Sequence, residues 1–535
     1  MLEVDDSRPV TEALCAWPGE VWENFDPHAE VLDVVGYNYM IHKHVTDHER
    51  SPERVMLQTE SYPRDAFRNW KAVTSFPYIV GDIVWTGLDY LGEAGIGRFY
   101  YKGSETPGEP YVQGGIPEWH GAYCGDVDIT GWRKPISHYR DMLWNNREAI
   151  YMAVKEPDGY RGEIGLTAWS VWPMWESWTW PGWEGKPVEV EVYTKSKEVS
   201  LYLNNDLIGT KEVGEDTEYK AVFTVPYKAG TLRATTNRAT AELKTAGAPA
   251  RLRLHADKTI LTPDGQDLSF ITVEVLDRDG NICPEAAVTC NVAVSGSGQL
   301  LAAASADLKD LEPYTSPRVT TWKGRALIVV RNNGKKGKAD LTVTSTLPAA
   351  KLTLQTKEYM EGILIRHTSV DVPVGTCYGQ TDVPLKESFE EEAALAKAEL
   401  KAYGPVDHAY TSPLSRCTRL AAYCGFADAE RDERILEINF GEWEMKLFDD
   451  ISDPHLQEWY EDHINTPVTG GESFMMQYQR VSAFLDELRR KSWKRVAVFA
   501  HGGVLVSALI YAGHVTPEEA FAALPPYGGV IRIEL

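Results

Sequence analysis

The chain has 535 residues, 43% of them apolar and 25% charged, with 78 acidic against 54 basic side chains and a net charge of −24. Such a surface repels a polyanion unless it carries a local basic stripe, and none is visible, so no nucleic-acid partner is expected. The seven cysteines lack paired C-x-x-C spacing, implying neither a disulfide framework nor a structural metal, and the length suits three to four domains at roughly 100–200 residues each. The acidic start MLEVDDSRPV and the lack of any apolar run of ~20 residues predict a cytoplasmic chain with no leader and no membrane partner.

Thirteen of the 17 tryptophans lie in residues 1–183, so the chain carries two compositions. In residues 1–150 the runs VLDVVGYNY, RVMLQTES and YIVGDIVWTGLDYLGE are strand-length and end in polar or aromatic residues, which predicts part of a parallel (β/α) barrel with its working groups at the strand C-terminal ends. TAWSVWPMWESWTWPGW (167–183) holds six tryptophans, read as inter-domain packing. Period-two strands separated by turns then predict two immunoglobulin-like β-sandwiches, over 160–245 and 249–357. DRDGN (277–281) lacks full calcium-loop spacing and reads as a hairpin turn. From 360 to 535 strands alternate with helices: GILIRH, a charged helix from about Lys386 to Tyr403, helices around Ser415–Cys424 and Phe474–Arg490, RVAVFA, a further helix and VIRIEL. This pattern predicts one α/β domain.

His367 directly follows GILIR and His501 directly follows RVAVFA, and the crevice beyond strand C-terminal ends is where α/β sheets hold ligands. With Arg366 and Arg416 nearby, the two imidazoles make an anion pocket suited to phosphate, since guanidinium forks match its oxygens bidentately. A neutral His367 would attack phosphorus and become a phosphohistidine, while Glu437, or its neighbours Glu442 and Glu444, protonates the leaving alkoxide. Positioning and charge do the rest, with no metal or other cofactor.

Six stretches, LIRH (364–367), YGQTDVPL (378–385), TSPLSRCTRLA (411–421), LEINFGEWE (436–444), GGES (470–473) and FAHGG (499–503), together resemble the histidine phosphatase superfamily. The resemblance implies that His367 is the phosphate acceptor, that Arg366, Arg416 and His501 bind phosphate, and that Glu437 is the proton donor. Thr368 stands where the family usually has glycine and adds a hydroxyl beside the nucleophile, and Gln380 is expected to bind substrate. Within the superfamily, IRHTSVDVPVGTCYGQTDVPL resembles α-ribazole phosphatases, which implies a small phosphate-ester substrate, α-ribazole 5′-phosphate of cobalamin biosynthesis.

Glu60 ends RVMLQTE and Tyr37 ends VLDVVGY, so a carboxylate and a tyrosine are expected at a barrel mouth, an arrangement that suits sugar chemistry as well as helix capping. SRPVTEAL, DVVGYNY, MLQTES and GDIVWTGLDYLGE resemble the later part of the catalytic barrel of glycoside hydrolase family 2, and the tryptophan-rich segment with residues 249–354 resembles that family's C-terminal sandwiches. By this resemblance Glu60 is the nucleophile, Tyr37 its hydrogen-bond partner and Trp85 a lining of the sugar subsite. Retaining hydrolysis needs a second carboxyl about 5–5.5 Å from the first. The family takes it from an upstream Asn-Glu pair, and residues 1–59 contain no such dipeptide. The expectation is therefore a competent phosphatase joined near Met360 to an inactive glycosidase remnant; the alternatives are a retaining glycosidase using Glu60, or a carbohydrate-binding or structural module.

Overall fold

The computed structural model describes residues 7–105, 118–145, 147–491 and 493–535. The chain divides into two compact units, Met1–Thr356 and Lys357–Leu535. Among the described residues no helix is long and apolar enough to cross a membrane.

The first unit opens with four parallel strands in sequential order, Thr11–Leu14, Val34–Asn38, Met56–Ser61 and Ile79–Val84. Helices His44–Arg50 and Ala66–Ser75 form the crossovers, and Val35, Tyr37, Met56, Ile79 and Trp22 bury together beneath them. Gly36 is required in the second strand, because a Cβ there would collide with the Glu12 carbonyl and the Thr59 side chain. At the outer strand Val80 and Ile83 are 57% and 52% exposed, so that edge presents apolar side chains to solvent.

Two sandwiches follow, each built by period-two alternation. In the strand Pro187–Tyr193 the valines 188, 190 and 192 are buried while Glu189 and Glu191 are not. This strand pairs antiparallel with Tyr151–Lys155 and Lys220–Pro226, and the sheet faces a second one made of Asp206–Glu212, Glu198–Leu203, Thr231–Thr235 and Thr240–Lys244. Val190, Leu201, Phe223 and Leu232 meet between them, and each such side chain contributes about 1.5–3 kcal/mol by burial. Trp178 and Trp180 complete this core. The next sandwich joins a four-stranded and a five-stranded sheet over Ile271, Val273, Ile328, Val330, Leu341 and Val343. DRDGN forms a turn in which the Asp277 carboxylate accepts from the backbone N–H groups of Asp279 and Asn281 at 2.9 and 2.8 Å.

The second unit is a five-stranded sheet in the order Glu430–Arg431, His408–Thr411, Arg495–Ala500, Glu361–Arg366, Val530–Glu534, parallel except for the last strand. Both faces are covered, which is why GILI (362–365) and VAVFA (496–500) are apolar without interruption. Ile363, Ile365, Ala497 and Phe499 turn toward helices Phe389–Ala402 and Ser415–Cys424. Leu364, Val496, Val498 and Ala500 turn toward Phe474–Leu488 and Gly502–Tyr511. The register sets Arg366 beside Ala500, so the residues after them, His367 and His501, emerge side by side.

Candidate functional site

In the second unit the two imidazoles lie with ring centroids 5.3 Å apart, 2% and 0% exposed. His367 Nδ1 lies 2.8 Å from the Thr368 carbonyl. A carbonyl can only accept, so Nδ1 carries the proton and Nε2 keeps its lone pair. Burial, then the Arg416 charge and more weakly that of Arg366, push the His367 imidazole down to about 3. His501 is held well below the usual range by burial first and Arg416 next. Its Nδ1 accepts from Arg416 Nε at 3.3 Å, and its Nε2 lies 2.7 Å from Ser412 Oγ.

Arg416 opens the helix Ser415–Cys424 and is fully buried. Its terminal nitrogens donate to the carbonyls of Thr381 and Gly379 at 2.9 and 2.5 Å. One N–H on each of those nitrogens is left over. Arg366 donates to the Pro525 carbonyl at 2.5 Å and stacks 4.1 Å over the Tyr527 ring. Its Nε, like Thr368 Oγ1, is buried with no hydrogen-bond partner among the described residues. Tyr378 and Tyr527 join hydroxyl to hydroxyl at 2.8 Å, and the Tyr527 ring lies 5.5 Å from that of His367.

The three glutamates of LEINFGEWE separate by what they touch. Glu437 Oε1 accepts from Gln477 Nε2 at 2.9 Å, and its Oε2 from the Gly503 N–H at 3.3 Å, beside the start of the helix that follows His501. Glu442 is exposed. Glu444 accepts from Gly379 N, Gln380 N and Thr381 Oγ1 at 3.0, 2.9 and 2.7 Å. Burial raises its carboxyl, but those donors outweigh burial and hold it below the usual range. A carboxylate so stabilised is a poor acid, which removes Glu444 as a proton donor. Gln380 directs its amide to the Glu437 carbonyl at 3.1 Å, which braces that residue's backbone. Gln477, Ser412, Tyr378 and Tyr527 were not singled out from sequence; Ser412 and Tyr378 sit inside quoted motifs, whereas Gln477 and Tyr527 carried no motif signal.

In the first unit Glu60 lies in the strand Met56–Ser61 and Trp85 follows the strand Ile79–Val84, its N–H donating to the Ser61 carbonyl at 3.0 Å. Tyr37 is not the partner of Glu60. Its hydroxyl is fully buried and donates to Asp47 at 2.8 Å, in a cluster with Trp22 Nε1 and Arg54. The tyrosine facing Glu60 is Tyr39, whose N–H donates to the Glu60 carbonyl at 2.8 Å. Burial, and more weakly Glu60, raise the Tyr39 phenol. Trp169 Nε1 donates to the Tyr39 hydroxyl at 2.9 Å, and Tyr62 packs 4.4 Å from the Tyr39 ring. The physical reason is a break in strand alternation: the register shifts between Tyr37 and Asn38, and Tyr39 adopts φ 58°.

Residues 363–535 match the histidine phosphatase superfamily (branch 1), residues 252–353 the glycoside hydrolase family 2 C-terminal domain 5, and residues 185–243 a domain of unknown function, DUF4982. The chain is 31% identical over 157 residues to phosphoserine phosphatase 1 of Hydrogenobacter thermophilus, covering 74% of that protein and 28% of this one. It is 29% identical over 395 residues to β-galactosidase BoGH2A of Bacteroides ovatus, covering 64% of this chain and 41% of that protein. A glycosyl hydrolase family 2 member from Bacteroides cellulosilyticus has a similar structure, with a TM-score of 0.60 at 31% identity over 66% of this chain and 46% of that one. The chain thus spans less than half the length of the glycosidases it matches.

Proposed function

This chain belongs to the histidine phosphatase superfamily through residues 363–535, and from that premise we propose that it hydrolyses small phosphate monoesters through a phosphohistidine at His367. The observation that carries the reading is the free Nε2 lone pair of a buried, neutral His367 set beside Arg366, Arg416 and His501. Nε2 attacks phosphorus in line, and Glu437 gives its proton to the departing alkoxide. Water, deprotonated by Glu437, then attacks the phosphohistidine and releases inorganic phosphate. The unpartnered donors Arg366 Nε and Thr368 Oγ1 suit phosphate oxygens, as do the remaining Arg416 N–H groups. Gln380 and Gln477 then act as positioning residues for Glu437.

For the substrate we favour α-ribazole 5′-phosphate, on the motif in residues 365–385; the relatives' names suggest O-phosphoserine as the competitor. Phosphate release from each by the full chain tests the reading. His367→Ala is expected to abolish turnover, and unchanged turnover in that variant would sink the mechanism. We read residues 1–150 as part of a glycosidase barrel, 160–245 and 249–357 as immunoglobulin-like sandwiches and 360–535 as the phosphatase domain. A second reading, sugar binding or hydrolysis at Glu60, is favoured by the Tyr39, Tyr62, Trp85 and Trp169 cluster. Nitrophenyl galactoside hydrolysis lost in Glu60→Gln would support hydrolysis there.

A further inference from the structure

A cavity of about 360 Å³ lies wholly within the first unit, walled by Trp132, Trp172, Trp175 and Trp322 and by the cations Lys323 and Arg325. Glu60, Tyr39, Tyr62, Trp85 and Trp169 are not among its walls, so it is distinct from the Glu60 cluster although it adjoins it through Arg64, which stacks 4.2 Å over Tyr62. The sequence T-W-K-G-R builds one side of it. Trp322 and Arg325 pair across a two-residue turn in which Lys323 and Gly324 take φ 51° and 75°, the form that joins tightly twisted strands. Gly324 is fixed there because a Cβ would lie 2.5 Å from the Cys283 carbonyl. The turn thus holds an indole, an ammonium and a guanidinium at one wall.

The adjoining indoles are equally fixed. Glu156 is buried and takes the Trp175 Nε1 donor on its carboxylate at 2.7 Å and the Trp172 Nε1 donor on its carbonyl at 2.8 Å. Both indoles are therefore held in place before any ligand arrives. Lys323 Nζ lies 4.0 Å from the centre of the Trp175 ring, and makes no ion pair or hydrogen bond among the described residues. The Arg325 guanidinium lies 3.5 Å over Trp132, 3.8 Å from Glu176, with its Nε buried and unpartnered. Burial pushes the Lys323 amine down to about 8 and lowers Arg325 as well, and the carboxylates acting on them, Glu156 and Glu285 on Lys323 and Glu176 on Arg325, only partly offset it.

We propose that this cavity binds a pyranose that carries a carboxylate, its C–H face on the indoles and its acid group between Lys323 and Arg325. Indole faces stack on the apolar face of a sugar ring, and the Glu176 carboxylate and the second oxygen of Asp128, which also line the cavity, can accept from hydroxyls. A neutral sugar would leave the Lys323 ammonium without an ion-pair partner and the Arg325 Nε without an acceptor, and a flat aromatic acid would leave the hydroxyl partners unused. The choice of a sugar rests on the carbohydrate reading of the first unit, whereas the anion requirement stands on the cavity alone.

Titration of the full chain, followed by tryptophan fluorescence, tests this with D-glucuronate, D-glucose and benzoate as probes. Glucuronate is expected to give a saturable change, with glucose at least tenfold weaker. Lys323→Met should weaken glucuronate at least tenfold, Lys323→Arg should restore it, and Glu60→Gln should leave it unchanged. A melting curve of Lys323→Met matching the parent separates lost binding from lost folding. Equal binding of glucose, tighter binding of benzoate, or no saturable signal overturns the proposal. Glucuronate binding that survives Lys323→Met but disappears in Glu60→Gln assigns the ligand to the Glu60 cluster and overturns it too, while leaving the carbohydrate reading of the unit intact.

Discussion

Replacing Glu444 by glutamine tests whether the loop at 378–381 is what seats Arg416, the arginine proposed to bind phosphate. Glu444 Oε2 accepts from Gly379 N at 3.0 Å and Thr381 Oγ1 at 2.7 Å, and Oε1 from Gln380 N at 2.9 Å. Glutamine keeps one acceptor oxygen and turns an NH2 toward donors it cannot satisfy. At about 1.5–3 kcal/mol for each hydrogen bond to a charged group, two lost bonds cost roughly 3 kcal/mol or more. For a unit of this size that is a fall in melting temperature of roughly 6–12 °C. Arg416 rests on the carbonyls of Gly379 and Thr381, so the same change should lower kcat/KM by about tenfold or more. Phosphatase activity remaining after graded heating of the full chain reports the second unit's stability, and Glu442→Gln, at an exposed site, is the control. If Glu444→Gln matches that control in both heat resistance and kcat/KM, the loop does not position Arg416 and the reasoning fails.

Two further outcomes follow from buried charge. The folded-state pKa of His367 is depressed, so the unfolded chain takes up the proton first. Its contribution is then complete above pH 6.5 and is lost as pH falls toward 3, reaching about 2 kcal/mol at pH 5, with His501 acting in the same direction. Urea midpoints at pH 7.5 and 5.0 should diverge less in His367→Ala than in the parent, and identical divergence would refute the assignment. Asp47→Ala removes the acceptor shared by Trp22, Tyr37 and Arg54 and should destabilise the first unit by about 3–5 kcal/mol. Circular dichroism melting should show that loss while phosphate release at 25 °C stays unchanged.

The second unit was readable because its strands are buried on both faces and its histidines stand one residue beyond paired strand ends, a juxtaposition that sequence alone can register. The division of labour among Glu437, Glu442 and Glu444 was not readable, since it depends on which backbone N–H groups a loop turns inward. Tyr37 illustrates a different limit. Alternation counts sides correctly only while a strand is regular, and the shift after Tyr37 moved the useful phenol two residues on, to Tyr39. The tryptophan run reads as inter-domain packing, yet Trp178 and Trp180 lie in the core of one sandwich. That Trp172 and Trp175 instead wall a cavity depends on a turn more than 140 residues away in the chain, which no local pattern reveals.

Met360 and Leu535 exchange backbone hydrogen bonds, at 3.2 Å in one direction and 2.8 Å in the other. The polypeptide therefore joins and leaves the phosphatase fold at the same spot on its surface. A fold with this property behaves as a cassette: spliced after a strand of another protein, or set inside one of its loops, it needs little slack in the host and adds little loop-closure entropy. Grafting onto an unrelated chain then costs the phosphatase none of its sheet pairing, and recombination can carry such a unit between hosts without redesigning either.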